Sequence, residues 1–158
     1  HLIHQSIIES IFHPVLKQIE NHHNFAWREN HQGRDVIVHR KGATPAGKGV
    51  IGIVPGSMAT LGFIVEGLGN PVSLNSASHG AGRRMSRKAA MKNFTWHETK
   101  EFLHKQGVEL LSAGLDEAPW AYKNINDVML AQRDLAKPIA KFMPRLVKMA
   151  PAGERPED

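Results

Sequence analysis

The stretch Ser76-Ala77-Ser78-His79-Gly80-Ala81-Gly82-Arg83 concentrates the reactive chemistry of this chain. His79 is followed by Gly80 and Gly82, and then by a basic patch of Arg83, Arg84, Arg87 and Lys88. Glycines let backbone N–H groups come close to an anion, and a helix starting beyond them adds partial positive charge. Arg83 and Arg87 can each grip phosphate oxygens through two parallel hydrogen bonds. A neutral imidazole at the mouth of such a nest is a nucleophile near neutral pH, so capture of phosphorus through a nitrogen–phosphorus bond is reasonable chemistry. A Gly-rich turn ahead of a surface helix, with His79 merely hydrogen-bonded, accounts for the same residues equally well.

Other segments offer weaker chemistry. Pro55-Gly56-Ser57-Met58, after an apolar run, is a second loop that could present backbone donors to a phosphate. Lys41-Gly42 has a similar position after a run at 35–39. Asn21-His22-His23-Asn24 sets two imidazoles side by side. Adjacent side chains diverge, so at most one of them suits a given metal ion, with the asparagines as supporting partners. His97 and His104, seven apart, can share a helix face, and most of the 10 histidines are expected to be structural or exposed.

The elements that must position these residues read as follows. Apolar residues from Ile3 to Ile19 recur at helical spacing, with Pro14 expected to kink or break the helix and Asn21–Asn24 to end it. Strands are expected at 35–39, 50–54 and 61–65, with 42–49 as a loop. A basic helix is expected from about Arg84 to Lys92. Thr95 and Glu98 form a capping box for a helix that Gly107 closes. A strand is expected at 108–111, a helix capped by Asn126 and ended by Pro138, and a last strand near Leu146 and Val147. Strands and helices do not alternate cleanly, so α+β is the expected class.

Composition bounds the reading. At 158 residues, 41% hydrophobic and 22% charged, the chain can bury the core of one domain and is not mainly disordered. With no cysteine, disulfide scaffolds and Cys-ligated metal sites are excluded. The apolar runs are far below the ~20 residues that span a bilayer, so no membrane partner is expected. The net charge of +5 points modestly to anionic partners such as nucleotide or RNA. One domain over 1–150 with a flexible tail at 151–158 is expected.

Taken together, the ordered motifs resemble the RtcB RNA ligase family. They are Asn21-His22-His23-Asn24, His39-Arg40-Lys41-Gly42-Ala43-Thr44, Pro55-Gly56-Ser57-Met58, Gly69-Asn70-Pro71, the His79 segment, Met85-Ser86-Arg87, Asp116-Glu117-Ala118-Pro119 and Tyr122-Lys123. The likeness covers nearly the whole chain and corresponds to the C-terminal part of the family's catalytic domain. The chain begins at His1 without an initiator methionine, and the rest of the same protein is an expected partner.

The resemblance implies joining of RNA ends bearing a 2′,3′-cyclic phosphate or 3′-phosphate to 5′-hydroxyl ends, using GTP and Mn²⁺ through a histidine–GMP intermediate, in the cytoplasm. It implies His79 as the guanylylated residue and His23 as a manganese ligand. Nucleotide contacts would come from Asn24, Pro55, Gly56, Ser57, Met58, Gly80, Ala81, Gly82, Tyr122 and Lys148. Lys41, Arg83 and Arg87 would hold RNA or substrate phosphate. The family's other metal ligands have no counterpart here, so the chain alone is expected to be inactive or nearly so. Gly62 stands where many members have serine, and Ala59 replaces a usual glycine. A non-catalytic RNA- or nucleotide-binding module and a metal-dependent phosphoesterase are the rival readings.

Overall fold

A computed structural model describes residues 2–11, 14–22 and 24–151, and it has both the helices and the strands of an α+β fold. Helix α1 spans Leu2–Ser10, and residues 14–22 have no regular secondary structure. The helical pattern expected over 3–19 is therefore helical only in its first part, consistent with the break expected at Pro14. Pro14 has no N–H to give the Ser10 carbonyl, and the apolar stripe beyond has little to pack on, with Leu16 95% exposed.

Strands β1 (Asn24–His31) and β2 (Arg34–Lys41) form an antiparallel hairpin. Its two-residue turn, Gln32-Gly33, has positive φ at both positions, the twist a tight hairpin requires. Only the second strand was expected; Asn24 opens a strand rather than ending a helix. Strand β3 (Ala43–Pro45) lies inside the expected 42–49 loop and pairs antiparallel with β6 (Ser76–Ser78). Strands β4 (Ile51–Val54), β5 (Gly62–Gly67) and β8 (Ala136–Phe142) form a sheet in that order. Pro138 was expected to end a helix but lies within β8. It is tolerated because β8 is an edge strand whose register shifts beside it.

Helix α2 runs Arg87–Asn93 with Ser86 as its cap, three residues later than expected. Helix α3 (Trp96–Lys105) is built as the capping box predicts: Thr95 Oγ1 accepts from the Glu98 amide at 3.3 Å and donates to its carboxylate at 2.7 Å. Gly107 follows at φ +68°. Helix α4 (Ile125–Ala131) is capped by Asn124, not Asn126, and ends before Leu135. Strands β7 (Glu109–Ser112) and β9 (Leu146–Lys148) pair in parallel.

Two apolar clusters hold these pieces. Val54, Phe63, Val65, Ala77, Ala81 and Met129 belong to one, so the residues either side of His79 are anchored in the core. The other joins Met58 and Ala59 to Leu103, Val108, Ala113 and Val147. Among the described residues no helix is long and apolar enough to cross a membrane.

Candidate active site

His79 leaves the end of β6 and is held from three sides. Its own amide donates to the Gly42 carbonyl at 3.4 Å, and a side chain at Gly42 would begin 3.9 Å from the imidazole Cε1. The next turn is tied to the Pro55 loop, because the Ala81 amide donates to the Pro55 carbonyl at 2.9 Å. On the far side the Lys123 amide donates to the Gly82 carbonyl at 2.9 Å, and Arg83 and Tyr122 form an isolated antiparallel bridge. Segments far apart in sequence thus converge on one histidine. The glycines are needed for closeness: a Cβ at Gly80 would stand 3.2 Å from the Pro55 oxygen, and Gly82 has φ +68°.

Ser78, just before the histidine, is fixed by a residue to which sequence reasoning gave no role. Its amide donates to Oε1 of the buried Gln132 at 2.8 Å, and its hydroxyl donates to the Gly80 carbonyl at 2.6 Å. The Pro55–Met58 loop closes on itself. The Ser57 amide donates to Thr60 Oγ1 at 2.7 Å, and a side chain at Gly56 would run into that hydroxyl and the Leu61 carbonyl. Met58 is buried in the cluster that contains Val147, which brings β9 close to this loop. Lys148, next to Val147, is exposed; its described backbone register is with Ser112 rather than with the His79 segment.

Lys41 and Asn24 face each other across the end of the hairpin, one residue from Gly42 and so from the backbone partner of His79. Both are exposed, and the Asn24 carboxamide oxygen lies 2.7 Å from His39 Nε2. His23, the expected manganese ligand, lies outside the described residues, as do 152–158 of the expected tail. Among the described residues no three His, Asp or Glu side chains come together in a way that could hold a metal ion. The described donors therefore do not fit a manganese site by themselves.

Arg83 and Arg87 of the basic patch are paired with carboxylates. The Arg83 guanidinium packs over the Tyr122 ring, 5.3 Å from its centroid, and forms an ion pair with Glu117. The Tyr122 hydroxyl donates to the same carboxylate. Burial first, and then this bond, push the Tyr122 phenol up to about 12. The hairpin is braced similarly: buried Arg40 grips the Glu29 carboxylate with both Nη groups, donates to Ser76 Oγ at 2.8 Å and packs over Trp27. Hydrogen bonding from Arg40 holds the Glu29 carboxyl below the usual range, against the opposing effect of its burial and with help from His31.

The family profile described as tRNA-splicing ligase RtcB matches residues 2–149. The chain belongs to the RtcB family. It is 44% identical over 125 residues to the RNA-splicing ligase RtcB of Escherichia coli K12, an alignment covering 79% of this chain and 31% of that protein. It is 35% identical to the tRNA-splicing ligase RtcB of Pyrobaculum aerophilum, over 83% of this chain and 31% of the relative. The same identity holds to the tRNA-splicing ligase RtcB of Methanococcus maripaludis, over 91% of this chain and 36% of the relative. The chain thus spans about a third of the length of these RtcB relatives.

Proposed function

We propose that this chain carries the histidine-bearing, phosphate-binding part of a GTP-dependent RNA ligase that joins 2′,3′-cyclic-phosphate or 3′-phosphate ends to 5′-hydroxyl ends. The observation that supports this reading best is the convergence of the Gly42, Pro55 and Gly82–Tyr122 segments on His79. A nucleophile for phosphoryl transfer must be held rigidly beside close-approaching backbone, and this loop is held from three sides.

In the proposed reaction an imidazole nitrogen of His79 attacks the α-phosphorus of GTP. A nitrogen–phosphorus bond forms, the α–β bridging bond breaks and pyrophosphate leaves. The RNA 3′-phosphate then takes GMP from the imidazole as a phosphoanhydride, which regenerates the neutral ring. Attack by the 5′-hydroxyl at the RNA phosphorus forms the phosphodiester and expels GMP. A cyclic end is first opened by water to the 3′-phosphate.

Asn24, Pro55–Met58, Gly80–Gly82, Tyr122 and Lys148 are proposed nucleotide contacts, and Lys41 and Arg87 proposed contacts to RNA phosphate; Arg83, whose guanidinium nitrogens all have protein acceptors, is not retained as a phosphate contact. Manganese belongs to the proposal, with His23 as one ligand. The described residues supply no set of ligands for it.

Incubating the protein with α-labelled GTP and Mn²⁺ tests the reading. The expected product is an acid-labile, alkali-stable protein–GMP adduct that His79→Ala abolishes. Label retained in that variant would refute the nucleophile. RNA binding without an adduct would favour the binding-module alternative, and phosphate release without joined RNA the phosphoesterase.

A further inference from the structure

Arg83 and Arg87 lie four residues apart and look alike in sequence, yet the structure uses them differently. Arg83 is committed inside the fold. Its Nε donates to the Met85 carbonyl at 3.2 Å and its Nη2 to the Asp116 carbonyl at 2.6 Å. Its Nη1 reaches Glu117 Oε1 at 3.3 Å and the Tyr122 hydroxyl at 3.5 Å. Every nitrogen of that guanidinium has a protein acceptor.

Arg87 is held by Nη1 alone, which lies 3.1 Å from Asp116 Oδ2 and 3.3 Å from Glu117 Oε1. Its side chain is 46% exposed, and neither Nε nor Nη2 makes a hydrogen bond to another described residue. A guanidinium presents Nε and Nη2 together as one planar edge, matched to two oxygens of a phosphate. Pinning Nη1 between two carboxylates fixes the plane of the group and leaves that edge open. Asp116 and Glu117 sit on the single 3₁₀ turn Leu115–Glu117, so the clamp is short and stiff. Two carboxylates against two guanidiniums balance the local charge. The clamp therefore orients Arg87 more than it draws in an anion.

We propose that Asp116, assisted by Glu117, is a positioning residue that presents the Nε–Nη2 edge of Arg87 to a substrate phosphate, while Arg83 braces the His79 loop from within. This rests on the RNA 3′-phosphate reading above. It gives the acidic turn a role distinct from contact with nucleotide or RNA, and it predicts that the two arginines are not equivalent.

The test measures binding of a short oligoribonucleotide with a 3′-phosphate and of its 3′-hydroxyl counterpart, to wild type, Asp116→Asn, Arg87→Lys and the double variant. Wild type should prefer the phosphorylated end. Each single variant should cut that preference by about tenfold, as expected for a lost charge-assisted bidentate contact. The double variant should be no worse than Arg87→Lys, because the Asp116 side chain acts through Arg87. A general structural role would lower binding of both oligonucleotides alike and would add to the Arg87→Lys effect; either result overturns the proposal. If Asp116→Asn does not fold, Asp116→Ser carries the same test, since it too removes the 3.1 Å contact to Arg87. A wild-type protein with no preference for the phosphate would overturn the 3′-phosphate reading itself. A preference untouched by the Asp116 variants would overturn only the positioning role.

Discussion

The amide of Ala81 donates to the carbonyl of Pro55 at 2.9 Å, so the loop after the histidine and the loop after β4 are stitched together backbone to backbone. A glycine at the position before it leaves room for that contact. A Cβ at Gly80 would lie 3.2 Å from the same oxygen, tighter than ordinary van der Waals contact. Gly80→Ala should therefore push the loops apart and cost about 1–3 kcal/mol. Hydrogen exchange of the Ala81 amide should quicken. Gly82→Ala meets no atom within 4 Å and should cost only its left-handed backbone strain, about 1–2 kcal/mol. Equal exchange rates at Ala81 in wild type and Gly80→Ala would show that the stitch tolerates a side chain.

The Ser78 amide depends on a side chain 54 residues away, the buried Gln132. Gln132→Leu keeps most of the volume and removes the acceptor. The orphaned N–H should cost about 1–3 kcal/mol in a denaturant titration. Protein–GMP formation should fall further than stability does, because the lost bond orients the residue before His79. An unchanged denaturation midpoint would mean that water or another acceptor replaces Gln132.

Arg40 and Glu29 link the hairpin to β6. Removing the buried cation in Arg40→Met leaves the partly buried Glu29 carboxylate with His31 alone and should cost about 1–3 kcal/mol. The double variant Glu29→Gln/Arg40→Met should recover part of that. The sign with pH follows from the lowered Glu29 carboxyl. Its stabilisation is present above the ordinary carboxylate range and is lost as pH falls through the depressed folded value. Urea midpoints measured from pH 6 downward should drop more steeply in wild type than in the double variant.

The same pair explains why half of the hairpin was not legible in sequence. The half-buried positions of β1 are Trp27, Glu29 and His31, and Arg40 is buried on β2. Two of these carry opposite charges that satisfy each other, so the strand alternation is present but does not register as apolar against polar. The capping box at Thr95 was legible because its partners are three residues apart. The stop at Ser10 follows from Pro14, and the cap at Asn124 from a bond to the Asn126 amide two residues on; the edge placement of Pro138 depends on tertiary pairing. At the site, the motif residues stand out by type and order. Gln132 and the orienting use of Asp116 and Glu117 rest on long-range geometry that residue spacing does not encode.

Gly62 pairs with Phe142 across the β5–β8 sheet, and any side chain at 62 would run into the Phe142 ring. The ring covers the glycine, as aromatic residues do for glycines on neighbouring strands. Gly62→Ser, the residue many RtcB relatives are expected to carry there, should lose about 1–3 kcal/mol through this overlap. Phe142→Ala should relieve it, making the double variant more stable than the two single losses predict. Strict additivity in thermal denaturation would mean that the ring swings aside freely.

Tyr122 is the only tyrosine in the chain, so absorbance at alkaline pH reports its ionisation alone. The phenol is raised to about 12, chiefly by burial and next by the bond to Glu117. Glu117→Gln should bring the midpoint down part of the way, leaving it above the ordinary phenol value because burial persists. For stability, the folded state keeps the proton where the unfolded chain has already lost it. The stabilisation is complete below about pH 10 and declines as pH rises towards the folded value. A wild-type midpoint near 10 would show that the ring is solvated and that Arg83, Tyr122 and Glu117 do not form the network on which the bracing of the His79 loop depends.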